Sequence, residues 1–161
     1  MIASQSPVWL WLVSRSVRRL PPGPLSSRAE EGLRGAVRCL LGADVPADPY
    51  LDFFAWRSAR IPGVRTACER LGAGADAAAR LEAAGSLAAL DPAARDRVFR
   101  RLFPEAPSPL RVRQPFEEVR QEILRRFSRT DAWVALGYRT WPGTPRGLEE
   151  YLLPPSGPRG G

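Results

Sequence analysis

Residues 116–128, FEEVRQEILRRFS, place Phe116, Val119, Ile123 and Phe127 at i, i+3, i+7 and i+11, with charges between them. That is the period of an amphipathic helix, and no alternating strand pattern competes with it. The same period recurs upstream. Asp91 and Pro92 form a cap-then-proline start, followed by Ala94, Val98 and Leu102, flanked by Phe99 and Phe103. Ser27 and Glu30 have capping-box spacing ahead of Leu33, Val37, Leu40 and Leu41, which predicts a helix near 28–42 ending at Gly42.

Between these segments the signals are weaker. Asp48 and Pro49 repeat the cap-then-proline start, with Leu51, Phe54 and Ser58 on one face and Phe53 and Trp56 beside it. Pro62 and Gly63 interrupt the segment. A short helix is expected to resume near Val64 and to end at Gly72, Ala73 and Gly74. The alanine-rich stretch from Asp76 has high helix propensity and weak amphipathicity, so it is expected to lie over the core. Residues 104–114 read as a loop, and a short helix near 131–136 carries Trp133.

Together these elements predict an all-α fold, a compact irregular bundle of about five to seven short helices with an ordered C-terminal Pro/Gly/aromatic loop. Residues 1–24 read as an N-terminal segment, in which the apolar run VWLWLV could form a short helix, and a linker, because three prolines and a glycine fall within LPPGPLS at 20–26. Residues 25–153 form the helical domain, and 154–161, PPSGPRGG, a disordered tail. No internal repeat or heptad run is present.

The chain has 161 residues, about one domain's worth, and a formal charge of +7. It contains no His, no Lys and no Asn, so all 24 basic residues are Arg. Without His there is no Ser-His-Asp catalysis, and without Lys there is no Walker P-loop or Schiff base. Cys39 and Cys68 lack CxxC spacing and are too few for a zinc site or a disulfide framework. The sequence leaves open whether they form one bridge.

No stretch reaches the ~20 apolar residues that span a bilayer. VWLWLV at 8–13 precedes Arg15, Arg18 and Arg19, the reverse of a secretory signal, and the twin arginine is followed by no apolar region. That order points to a cytoplasmic chain.

The remaining chemistry is sparse. Glu117 with Glu118, and Glu149 with Glu150, are adjacent in sequence and so do not face one another across a pocket. Residues 91–129 hold ten arginines and six acids, an interspersed pattern with Asp96–Arg100 and Glu122–Arg126 at i, i+4. A basic helical domain that binds nucleic acid or an anionic surface is the alternative this charge keeps open, though no nucleic-acid module fits and nucleic acid is the disfavoured partner.

The segment 133–151 is the most unusual. It concentrates Trp133, Tyr138, Trp141 and Tyr151 among Gly137, Pro142, Gly143, Pro145 and Gly147. Gly and Pro fix a loop path, and the aromatics offer stiff contact area for an interface or for closing the domain's own core.

This stretch, RTDAWVALGYRTWPGTPRGLEEYLLPP after the 116–128 helix, resembles the small subunit (subunit 3, or gamma) of gluconate 2-dehydrogenase-type flavoprotein complexes. In that family a Gly-Trp leads to an aliphatic-Gly-Tyr, a Pro-Gly loop, a Tyr and prolines. Gly137, Tyr138, Pro142, Gly143, Gly147 and Tyr151 match, while Ala132 stands where the family has Gly. SLAALDPAARDRVFRRL and LSSRAEEGLRGAVRCLLGAD are similar to upstream family helices, so the resemblance spans roughly residues 25–155.

The resemblance implies a non-catalytic accessory subunit that binds, stabilises or helps mature a flavin-dependent sugar or alcohol dehydrogenase. It carries no cofactor, metal or catalytic residue of its own. FAD is expected in the large partner subunit, and a cytochrome c subunit is a further implied partner. The implied interface is Trp133, Tyr138, Trp141, Pro142, Gly143 and Tyr151. The implied location is a periplasmic or membrane-associated complex, against the cytoplasmic location that the missing signal suggests.

Overall fold

The computed structural model describes residues 18–82, 86–103, 116–130 and Ala132. Among them are five α-helices, one 3-10 turn and no strand. The helices are α1 (Ser27–Leu41), α2 (Asp48–Ser58), α3 (Val64–Leu81), α4 (Pro92–Leu102) and α5 (Glu117–Arg129), with the 3-10 turn at Leu87–Ala89. The expected all-α bundle is what the described residues form. The chain divides into a unit spanning Met1–Arg120 and a unit spanning Gln121–Gly161, with the boundary inside α5.

In the first unit α1 lies along α3, and α2 and α4 each pack on both. Ala29, Leu33, Ala36 and Val37 of α1 are fully buried at helical spacing. On α3 the buried side is Cys68, Leu71, Ala75, Ala78 and Ala79. Val98, Phe99 and Leu102 supply α4's share, and Phe103 meets Phe116 edge-on with ring centroids 6.3 Å apart. In α5, Val119 and Ile123 are buried and Phe127 is half-buried, following the period read from the sequence.

Caps explain where the helices start. Asp91 Oδ1 accepts from the Ala94 N–H at 2.9 Å, as its position before Pro92 predicts. At α1 the cap is Ser26 rather than Ser27: its hydroxyl accepts from the Ala29 N–H at 3.2 Å. At α2 the expected Asp48 cap does not form. Ala47 takes the cap position without a side-chain bond, and Asp48 instead accepts from Arg34 Nη1 at 2.8 Å. A tertiary ion pair stands where a local cap hydrogen bond was expected. The buried face of α2 is Tyr50, Phe54 and Ser58, so Tyr50 replaces the half-buried Leu51 of the expected face.

The largest departure is α3. It runs unbroken for 18 residues through Gly72 and Gly74, where a helix end was expected. Each glycine costs about 1 kcal/mol of helix propensity relative to Ala. Close packing accounts for their presence. A Cβ on Gly72 would stand 2.6 Å from the Arg28 carbonyl oxygen, and one on Gly32 would stand 2.9 Å from the Gly72 Cα. Gly32 and Gly72 are thus the crossing point of α1 and α3. A Cβ on Gly74 would meet the Phe116 ring at 2.5 Å. The alanines after Gly74 share this close packing: Ala75, Ala78 and Ala79 fill the core rather than overlie it.

Residues 20–26, read as a linker, are bonded to α2 and α3. Leu20 N–H donates to Thr66 Oγ1 at 2.9 Å, and Gly23 N–H to the Ser58 carbonyl at 2.9 Å. Ser58 Oγ returns a bond to the Gly23 carbonyl at 2.9 Å, and Arg65 Nη1 reaches the Pro21 carbonyl at 3.3 Å. Ser26 donates through its N–H to Glu69 Oε1 at 2.9 Å and through its hydroxyl to Glu69 Oε2 at 2.7 Å. Ser58, Thr66 and Glu69 are the buried polar side chains among the described residues, and each bonds this segment. Prolines oppose a helix here, but they leave the neighbouring backbone groups free to bond across to other elements.

Candidate functional site

Trp133, Tyr138, Trp141, Pro142, Gly143 and Tyr151, the interface residues expected from the sequence, lie outside the described residues. So do the 104–114 loop, the 131–136 helix apart from Ala132, and the C-terminal tail. Two features of the first unit stand out as surfaces that could engage another molecule.

One is a flank of α2. Phe53, Trp56, Arg57 and Arg60 are spaced i, i+3, i+4 and i+7, so they form one stripe beside the buried face. The Arg57 guanidinium lies over the Phe53 ring, 5.3 Å from its centroid. Arg60 does the same over Trp56 at 4.9 Å, and its Nη1 donates to the Trp56 carbonyl at 3.2 Å. Trp56 is nonetheless 54% exposed, against 2% for Phe54 two residues earlier. The aromatic-then-Arg spacing of four at Phe53–Arg57 and Trp56–Arg60, which also occurs at Trp11–Arg15 and Phe116–Arg120, is the signal in the sequence that could have found this stripe. The sequence alone places Trp56 beside a core face; the structure puts it in solvent.

The other feature is an open cleft of about 570 Å³ between α1 and α4. Arg34, Arg38, Arg95 and Arg100 line it, along with Glu31 and Asp96. Most of that positive charge is already matched. Arg34 pairs with Asp48 at 2.8 Å, Arg95 with Glu31 at 3.4 Å, and Arg100 with Asp96 at 2.6 Å. Arg95 also donates to the Leu90 and Ala88 carbonyls at 3.1 and 2.8 Å. Arg38 sits in the last turn of α1, where a cation complements the helix dipole.

The same pairing holds elsewhere. Glu82, at the end of α3, takes Arg97 at 3.1 Å and Arg101 at 2.8 Å. Glu117 pairs with Arg120, and Glu122 with Arg125 at 2.8 Å. The Asp96–Arg100 pair matches its i, i+4 expectation.

Cys39 is half-buried in the cleft wall and Cys68 is buried on α3; both are free thiols. Burial pushes the Cys68 thiol up to about 12, with the neighbouring Glu69 carboxylate adding to the rise and Arg57 opposing it. Among the described residues no His/Cys/Asp/Glu group has the makings of a metal site, and no helix is long and apolar enough to cross a membrane.

No protein-family model matches the sequence, and no curated protein or solved structure is significantly similar to it.

Proposed function

We propose that this chain is a non-catalytic accessory subunit that docks on, and stabilises or helps mature, a flavin-dependent sugar or alcohol dehydrogenase. The observation that carries the reading is the Gly137, Tyr138, Pro142, Gly143, Gly147 and Tyr151 pattern following an amphipathic helix. The all-helical fold of the described residues is consistent with it. FAD belongs to the large partner in this reading, and a cytochrome c subunit completes the electron path. Trp133, Tyr138, Trp141, Pro142, Gly143 and Tyr151 are the contact residues it assigns to the partner.

The charge pattern favours this reading over a polyanion-binding domain. Nucleic-acid affinity comes from cations that release phosphate counterions. Here Arg34, Arg95, Arg97, Arg100, Arg101, Arg120 and Arg125 each face a carboxylate of the chain itself. Ala substitution of Trp141 and Tyr151 tests the assignment. The partner should be released while the free domain keeps its helical circular dichroism and melting temperature. Loss of the folded domain would instead place those side chains in its own core.

A further inference from the structure

We propose that the corner where residues 18–28 meet the end of α2 and the start of α3 is a peripheral contact surface for an anionic lipid bilayer. The proposal stands apart from the accessory-subunit reading and survives its failure. Its basis is the place where unmatched charge gathers. The stretches 18–29 and 53–68 together hold six arginines and no acid. Residues 91–129, by contrast, mix ten arginines with six acids.

The fold brings the two stretches together. Leu20, directly after Arg18 and Arg19, donates its N–H to Thr66 Oγ1 at 2.9 Å. Arg65 Nη1 reaches back to the Pro21 carbonyl at 3.3 Å. Gly23 N–H donates at 2.9 Å to the carbonyl of Ser58, two residues before Arg60. Arg28 and Arg57 are engaged within the chain, at Glu69 and over the Phe53 ring. Among the described residues, none of Arg18, Arg19, Arg60 and Arg65 faces a carboxylate. Glu69, the acid nearest to Arg65 in sequence, is buried and held by Ser26 and Arg28.

The adjoining sequence identifies the occupant. VWLWLV at 8–13, outside the described residues, is joined to Arg18 by four residues that include Arg15. Tryptophan favours the headgroup level of a bilayer, and arginine pairs with lipid phosphate. A short apolar element alone binds a bilayer weakly. Joined to a basic cluster, it makes the two-signal combination that holds a protein on an anionic surface. Trp56, half exposed beneath the Arg60 guanidinium, adds a further aromatic at the same corner. Single-stranded nucleic acid would also suit arginines and a tryptophan, but it offers VWLWLV no apolar layer to enter.

The test is co-sedimentation of the full-length chain with vesicles of phosphatidylglycerol and phosphatidylcholine in equal parts, and of phosphatidylcholine alone. Wild type should bind the anionic vesicles, less tightly as salt rises, and bind phosphatidylcholine far more weakly. Arg60→Gln should weaken binding by about fivefold, and Arg18→Gln with Arg19→Gln by about 25-fold. Their melting temperatures should hold, because all three side chains are exposed. Arg97→Gln with Arg101→Gln removes the same net charge where Glu82 already matches it, and should change binding by no more than about twofold. Trp9→Ala with Trp11→Ala should weaken binding by about tenfold or more, at high salt as well as low. Absence of binding to anionic vesicles overturns the proposal. Equal losses from the two arginine pairs would overturn the corner, since net charge alone would then suffice. Unchanged binding of the tryptophan variant would overturn the bilayer as occupant, as would tighter binding to single-stranded DNA that the same arginine substitutions abolish.

Discussion

Glu69 holds Ser26 through both of its oxygens, at 2.9 Å to the backbone N–H and 2.7 Å to the hydroxyl, across 43 residues of chain. In a local capping box the reciprocal carboxylate comes from the third residue of the same helix. Here it comes from the second turn of α3, so the start of α1 and its register on α3 are tied together by one side chain. Glu69 is 5% exposed, and Arg28 stands 3.8 Å away as its cation.

Substituting Glu69→Ala should therefore cost more than an exposed carboxylate. Two donors of Ser26 lose their acceptor in a part-buried site, a loss of about 2 kcal/mol or more. Urea denaturation checks it. A double-mutant cycle with Ser26→Ala should give a coupling of about 1 kcal/mol. Strict additivity would mean that the two side chains do not act as a unit.

Gly72→Ala offers a test of sign. Helix propensity alone predicts stabilisation by about 1 kcal/mol. The new Cβ, 2.6 Å from the Arg28 carbonyl oxygen, must push α1 and α3 apart. Destabilisation of about 1–3 kcal/mol is expected, as for other overpacked contacts. A variant more stable than wild type would remove Gly72 from the helix crossing.

Asp91→Ala should lose the cap of α4, about 1 kcal/mol. The Ala94 N–H then has water as its only new acceptor. Asp91→Asn should retain most of the stability, because its side-chain oxygen reaches the same donor. Comparison of the two melting temperatures separates the cap from any wider charge effect.

The thiols should differ in reactivity. Cys68 is buried with its thiol pushed up to about 12, so at pH 8 a thiol reagent should modify Cys39 in the native protein and both cysteines only after unfolding. The folded state raises this pKa above the ordinary value of 9.0, so its contribution to stability is complete below pH 9. It is lost as the pH climbs from 9 towards 12, since the unfolded thiol ionises first. Cys68→Ala should remove this part of the alkaline decline; an unchanged pH profile would contradict the assignment.

The helices whose apolar period coincides with a clear start signal were legible in the sequence. α4 follows Asp91 and Pro92 as written, and α5 follows Phe116, Val119 and Ile123. The failures share a cause: partners distant in sequence. Gly72 and Gly74 look like a helix end until Arg28 and Phe116 are seen against them. LPPGPLS looks like a linker until Ser58, Thr66 and Glu69 are seen to bond it. Asp48 looks like a cap until Arg34 takes it. Tyr50 lies one residue before the expected face because α2 is rotated to bury it. The α2 stripe was half visible: the spacing of Phe53, Trp56, Arg57 and Arg60 places them together, but only the fold decides which side of the stripe meets solvent.

In the proposed reading, this chain holds a flavoprotein. The most direct measurement is purification of the chain from its native cell under mild conditions, with an absorbance spectrum and the mass of what elutes with it. The account predicts a stoichiometric complex with a larger protein and a flavin spectrum. A colourless chain that elutes alone would contradict it.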